Sequence, residues 1–334
     1  MTKGSFILHN LFPFLILLST NLGATPQDQA NVPGAIRVKA ERSFGARFGQ
    51  NVLLIGGIAE DSEGNLFVAD KLDCSVKKFG SDGTYMGKYG AYGKGKGEFK
   101  GPLDVAIWKD RVAIVDYLST AVNVISTDLK YVRTVPAPNF VVDIAFDRNG
   151  RLYVATATDK PDELLTVYDS LGNFIRPIRS PGMHNNMLLN SMRLAVTPTN
   201  NLLAMYQYFN TLEEYDPDGN LVQTYSVPNV PSASPQRPHG ADFALPAGEL
   251  LYDLSCDNRG RIWILSGDFS TNANRDVYIL SANGLLLQTL TLPKPAGTVV
   301  YTRTDCILVR EEKRTVLTRY KVLNGKKDSG RAHE

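Results

Sequence analysis

Residues 58–90 read IAEDSEGNLFVADKLDCSVKKFGSDGTYMGKYG. Short runs of alternating apolar and polar residues are separated by turns rich in Gly, Asn and Asp. Alternation with period two marks strands with one buried face. The turns at Ser62-Glu63-Gly64-Asn65 and Ser81-Asp82-Gly83 contain the residues that tolerate positive φ in tight hairpins. Ile58 and Val68 stand ten residues apart across the first turn, and Val76 to Phe79 leads into the second. The stretch therefore predicts an antiparallel meander of four strands.

The unit recurs along the chain. Ile144 and Val154 flank Arg148-Asn149-Gly150-Arg151, and Leu254 and Ile264 flank Asn258-Arg259-Gly260-Arg261. Leu194 and Ala204 flank Thr199-Asn200-Asn201. Val299 and Val309 keep the interval around a degenerate turn. Val105 and Ile114 stand nine apart, one turn residue short. Successive anchors are separated by roughly 40 to 60 residues, the length of a four-stranded propeller blade. Six units follow, with second turns at Thr127-Asp128, Ser170-Leu171-Gly172, Pro217-Asp218-Gly219 and Ala282-Asn283-Gly284. The sixth unit lacks an outer strand after Val322, and Ile36 to Phe44 can supply it. The predicted fold is all-β: a six-bladed β-propeller of four-stranded antiparallel blades, its ring closed by the N-terminal strand. Closure removes two exposed sheet edges.

Residues 58–90 and GKGEFKGPLDVAI at 95–107 resemble the NHL-repeat family of six-bladed propellers, of the exported type. The likeness lies in the strand–DG–strand–VAD pattern and the G-x-F-x-x-P linker. It covers blades one and two best, then three and five. The resemblance implies a rigid scaffold whose members act as lyases, lactonases, hydrolases, sensors or docking surfaces. Asp70 and Asp116 are expected to be structural, accepting backbone hydrogen bonds at strand ends.

The N-terminus reads as a secretory signal over residues 1–24. Lys3 is the only charge before Asp28, Leu11 to Leu18 is a short apolar core, and Gly23 and Ala24 follow. Residues 25–34 are expected to be a linker, 35–323 the propeller and 324–334 a disordered polar tail. The mature chain is expected to be exported, periplasmic or extracellular, with no transmembrane span, and monomeric. Lys and Arg total 36 against 34 Asp and Glu, a balance that argues against nucleic acid as a partner. Cys74, Cys256 and Cys306 are expected as small buried residues, with Cys256–Cys306 the one pairing considered.

The repeat register also predicts a site. The residue before each anchor is Gly57, Asp104, Asp143, Arg193, Asp253 or Thr298. If these positions are equivalent, three carboxylates and one guanidinium converge near the ring axis. Asp residues at such positions commonly bond only to backbone or to a neighbouring blade. As a site, Asp104, Asp143 and Asp253 are hard oxygen ligands suited to Ca²⁺. Loops 177–190 and 227–250 should lie on the same face and carry His184 and His239, the only histidines besides His9 and His333. The expected role is a binding or interaction module for a protein, peptide or glycan at the channel mouth. The alternative is a metal-assisted hydrolase or lyase, with Arg193 stabilising negative charge and His184 or His239 as acid or base.

Overall fold

The computed structural model describes residues 35–45, 54–228, 230, 250–266, 275–311 and 315–324. They form six four-stranded antiparallel sheets arranged as the blades of a β-propeller. The inner strands are Ile55–Glu60, Pro102–Trp108, Val141–Phe146, Met192–Val196, Leu251–Cys256 and Ala296–Tyr301. No helix among the described residues is long and apolar enough to cross a membrane.

Each predicted anchor pair is a cross-strand pair. Ile58 faces Val68, Val105 faces Ile114 and Ile144 faces Val154. Leu194 faces Ala204, Leu254 faces Ile264 and Val299 faces Val309. The turns between them repeat one device. Asp61, Asp147 and Asp257 each accept hydrogen bonds from the amides two and four residues on, with Gly64, Gly150 and Gly260 at positive φ. In the degenerate turns Thr197 and Thr302 take the place of the Asp, and Asn200 and Asp305 adopt the positive φ.

The apolar core lies between blades rather than within them. Six clusters of buried side chains each join two neighbouring blades. Between blades three and four, for example, Tyr153 and Val167 pack with Met192, Ala204 and Tyr206. A lone blade is apolar on both faces, so only the closed ring buries the whole set.

The ring closes as the sequence predicts. Ile36–Gly45 pairs with Val316–Asn324, from Ile36 opposite Asn324 to Gly45 opposite Val316, with a bulge between Ala40 and Arg42. The closing strand thus reaches Asn324. The Gln288 side chain donates to the carbonyl of Ile36 and accepts from its amide, both at 2.8 Å, tying the closure to blade five.

Asp70 accepts from the amides of Leu54 and Leu72 and from Lys77 Nζ, and Asp116 from the amides of Lys100 and Gly101. Both are strand-end acceptors, as expected. Cys74, Cys256 and Cys306 are all unpaired thiols, with Cys74 and Cys306 buried. The signal and linker segments, residues 325–334 and His239 lie outside the described residues.

Candidate functional site

The inner strands enter the ring with a repeated irregularity. In blade three Val141 pairs with Thr156, but Asp143 pairs with Ala155, so Val142 is an extra residue. The same one-residue shift precedes Asp104, Asp253 and Thr298, and another falls between Ile55 and Ile58. A bulge of this kind bends a strand and re-aims its side chains. Blade four runs without it: Met192 pairs with Tyr206 and Arg193 with Met205.

All six ring positions line one central cavity of about 570 Å³. It brings together Asp104, Asp143, Arg193 and Asp253, which come from four different blades. Asp143 is 3% exposed. Its Oδ2 accepts from the Leu194 amide of blade four at 2.6 Å. Its side chain also meets that of Asp104 in a carboxyl–carboxyl hydrogen bond, and Arg193 Nη1 stands 3.7 Å from its Oδ1. Arg193 Nε donates to the Tyr252 carbonyl of blade five at 3.2 Å. Asp253 Oδ2 accepts from the Val299 amide of blade six at 2.8 Å. Three successive ring residues therefore stitch their blade to the next, the structural role expected for such Asp residues.

Asp104 differs. Its Oδ1 accepts from the adjacent Val105 amide at 2.8 Å, and its carboxylate lies over Gly57. A Cβ at Gly57 would fall 1.6 Å from that oxygen, so the missing side chain of blade one makes room for the carboxylate of blade two.

The electrostatics follow from burial. Asp143 is pushed well above the usual carboxylate range by desolvation and then by the charge of Asp104, with Arg193 pulling the other way. Asp253 is pushed up to about 6 by desolvation, against the pull of Arg193 and the Val299 amide. Carboxyl groups whose pKa is raised by burial beside a guanidinium can donate or accept a proton and can orient a polar ligand.

His184 is not part of this cluster. Its ring stacks on Phe209, with centroids 3.8 Å apart, and meets Tyr206 edge-on at 6.1 Å. Its main chain is clamped by the Asn190 side chain, and burial lowers its pKa. The structure thus holds His184 in an aromatic packing cluster away from the cavity lining. The calcium set also fails to assemble: among the described residues no group of three His, Cys, Asp or Glu side chains is placed to hold a metal ion. The physical reason is that Asp143 and Asp253 each direct one oxygen to a backbone amide, and Arg193 brings its own positive charge to Asp143.

Several lining residues escape the sequence reading. Gln207 Nε2 donates to the Tyr252 carbonyl at 3.2 Å, and its Oε1 accepts from Ser191 Oγ at 2.8 Å. Lys71 and Arg310 add positive charge to the wall. Lys71 and Gln207 share a signal, since both stand three residues after the second-strand anchors Val68 and Ala204. Arg310 is the cross-strand partner of Thr298.

A six-bladed propeller with a polar central cavity is the class that fold and site define. Solved structures share this architecture at low identity. A Bacteroides thetaiotaomicron protein of unknown function is 14% identical, with a TM-score of 0.58 over 86% of this chain and 76% of its own. A member of the DUF4221 family from Bacteroides vulgatus is 10% identical, with a TM-score of 0.57 over 88% and 100% of the two chains. Virginiamycin B lyase from Staphylococcus aureus is 11% identical, with a TM-score of 0.56 over 86% and 100%. At these identities the likeness concerns the fold alone. No protein-family model matches the chain, and no curated protein matches it in sequence.

Proposed function

We propose that this chain is an exported, NHL-like binding propeller that takes a ligand in the central cavity where the inner strands begin. One observation carries the reading. Asp104, Asp143, Arg193 and Asp253, charged side chains from four different blades, converge on the lining of one cavity of about 570 Å³. A concave site in which a few polar groups converge is the usual form of a ligand pocket. The cavity suits a small molecule or the end of a peptide chain better than a folded partner. The export signal at residues 1–24 and the repeat pattern of blades one and two support the setting.

An enzymatic reading draws on Asp143 and Asp253, whose raised pKa values suit proton transfer. A lyase among the fold neighbours makes it compatible with the scaffold. Binding is the broader reading, and chemistry would require it first.

The test is a thermal-shift screen of chemically varied small molecules and short peptides against the purified chain and Arg193→Met. Hits that raise Tm in the wild type by several degrees and lose most of that shift in Arg193→Met are expected. A screen whose hits are indifferent to Arg193→Met and to Asp143→Asn would overturn the channel site.

A further inference from the structure

We propose that the ligand of this cavity is an uncharged amphiphile. A compact apolar body sits at the axis below the charged ring, and one hydrogen-bonding head, a hydroxyl or an amide, meets that ring. The inference rests on the channel reading above and narrows it to a ligand class.

The first ground is a second tier of the cavity wall. Two residues past the ring positions stand Ala59, Ala106, Ala145, Ala195, Ser255 and Val300. All six line the cavity. Residues i and i+2 share one side of a strand and stand roughly 7 Å apart along it. The charged ring therefore lies over a ring of small side chains, five of the six apolar, which leaves the space at their level open. One residue further along, Ile107, Phe146 and Val196 continue the apolar wall.

Exposure separates this wall from the core. Second strands such as Leu152–Thr156 and Leu202–Tyr206 are buried at every position. Ala59, Ala106, Ile107, Phe146, Val196 and Val300 are only partly buried, although they stand on the innermost strands. Apolar surface left open inside a concavity of about 570 Å³ is surface that the apolar body of a ligand can cover.

The second ground is charge. The charged side chains of the wall are engaged by the protein itself. Asp143 bonds to the Leu194 amide and to Asp104, and Asp253 to the Val299 amide. Arg193 donates to the Tyr252 carbonyl, and Arg310 to the Gly297 carbonyl and the Thr298 hydroxyl. Lys71 is partnered as well. An ionic head would have to take its counter-charge from one of these pairings and give up its own hydration. A hydroxyl or amide needs only a spare lone pair or N–H. The Gln207 amide, with one bond made at each end, has both to offer.

The experiment is titration calorimetry of the purified chain at pH 7.5. The probes are 4-phenylbutan-1-ol and 4-phenylbutanamide, their ionic counterparts 4-phenylbutylamine and 4-phenylbutanoate, and 1,4-butanediol and butanamide, which lack the ring. At least one uncharged phenyl compound is expected to bind at least tenfold more tightly than both ionic counterparts and both compounds without the ring. Ala106→Leu, which fills space below the charged ring, should weaken that binding at least tenfold and leave Tm within a few degrees of the wild type. Ala59→Leu repeats the test on another blade. An ionic counterpart that binds as tightly, equal binding without the ring, no binding by either uncharged phenyl compound, or binding unchanged in both variants would overturn the inference. If an ionic probe binds best and loses its binding in Arg193→Met, the uncharged head is wrong and the channel site stands. If nothing tested, the hits of the thermal-shift screen included, depends on the ring residues, both readings fall.

Discussion

Gly57 and Asp104 show how one position is shaped by its neighbour. A methyl at Gly57 would meet Asp104 Oδ1 at 1.6 Å and the Asp104 Cα at 2.7 Å, so backbone must move. Gly57→Ala is expected to destabilise the fold by about 1–3 kcal/mol, the usual cost of overpacking, and to displace Asp104. Chemical denaturation checks the first effect, and binding of a cavity ligand from the thermal-shift screen checks the second. At Asp253 the sign of the pH effect is fixed by its raised pKa of about 6. The folded chain binds this proton more tightly than the unfolded chain. Its stabilisation is therefore present below the ordinary carboxylate range and lost as pH rises through about 6. At about 1.4 kcal/mol per unit, the loss is roughly 3 kcal/mol. The depressed Asp73, Asp169 and Asp216 act oppositely, losing stabilisation as pH falls. Melting temperature should be higher at pH 5 than at pH 7.5, and Asp253→Asn should flatten that difference. An unchanged slope in the variant would remove Asp253 as its source. The equivalence of Asp104, Asp143, Arg193 and Asp253 was legible in the sequence because each precedes an anchor by one residue. The contact between the Asp104 and Asp143 carboxyl groups was not legible, because it depends on how two blades meet across their boundary.

Strands were the most readable elements. A turn sequence such as Glu63-Gly64-Asn65 fixes a hairpin, and the hairpin fixes the register, so Ile58 had to face Val68. The bulges before Asp104, Asp143, Asp253 and Thr298 left no such mark. The extra residues, Leu103, Val142, Tyr252 and Gly297, leave the run without a charge or turn signal while shifting its pairing. His184 was misgrouped for a related reason: loop position gives the face, but stacking on Phe209 decides where the ring points. The closing strand makes its own prediction. Removing residues 35–45 strips Val316–Asn324 of its outer partner and Gln288 of its link to Ile36. The truncated chain should lose its cooperative thermal transition or aggregate through the exposed edge. A sharp melt at the full-length temperature would show that closure contributes nothing.

At the scale of the molecule, stability and site come from the same contacts. Every cluster of the core is shared by two blades, and Asp143, Arg193 and Asp253 add polar stitches across successive boundaries at the axis. Six blades converging on an axis leave a cavity by geometry alone; what this chain adds is three carboxyl groups and a guanidinium converging in it. The most direct measurement is a crystal structure of the chain grown with the tightest-binding compound from the screen. The account predicts that compound in the central cavity, with a polar atom within about 3 Å of the Asp104, Asp253 or Arg193 side chain, an ordinary hydrogen-bond distance. A ligand bound elsewhere, or one in the cavity that touches none of these side chains, would contradict it.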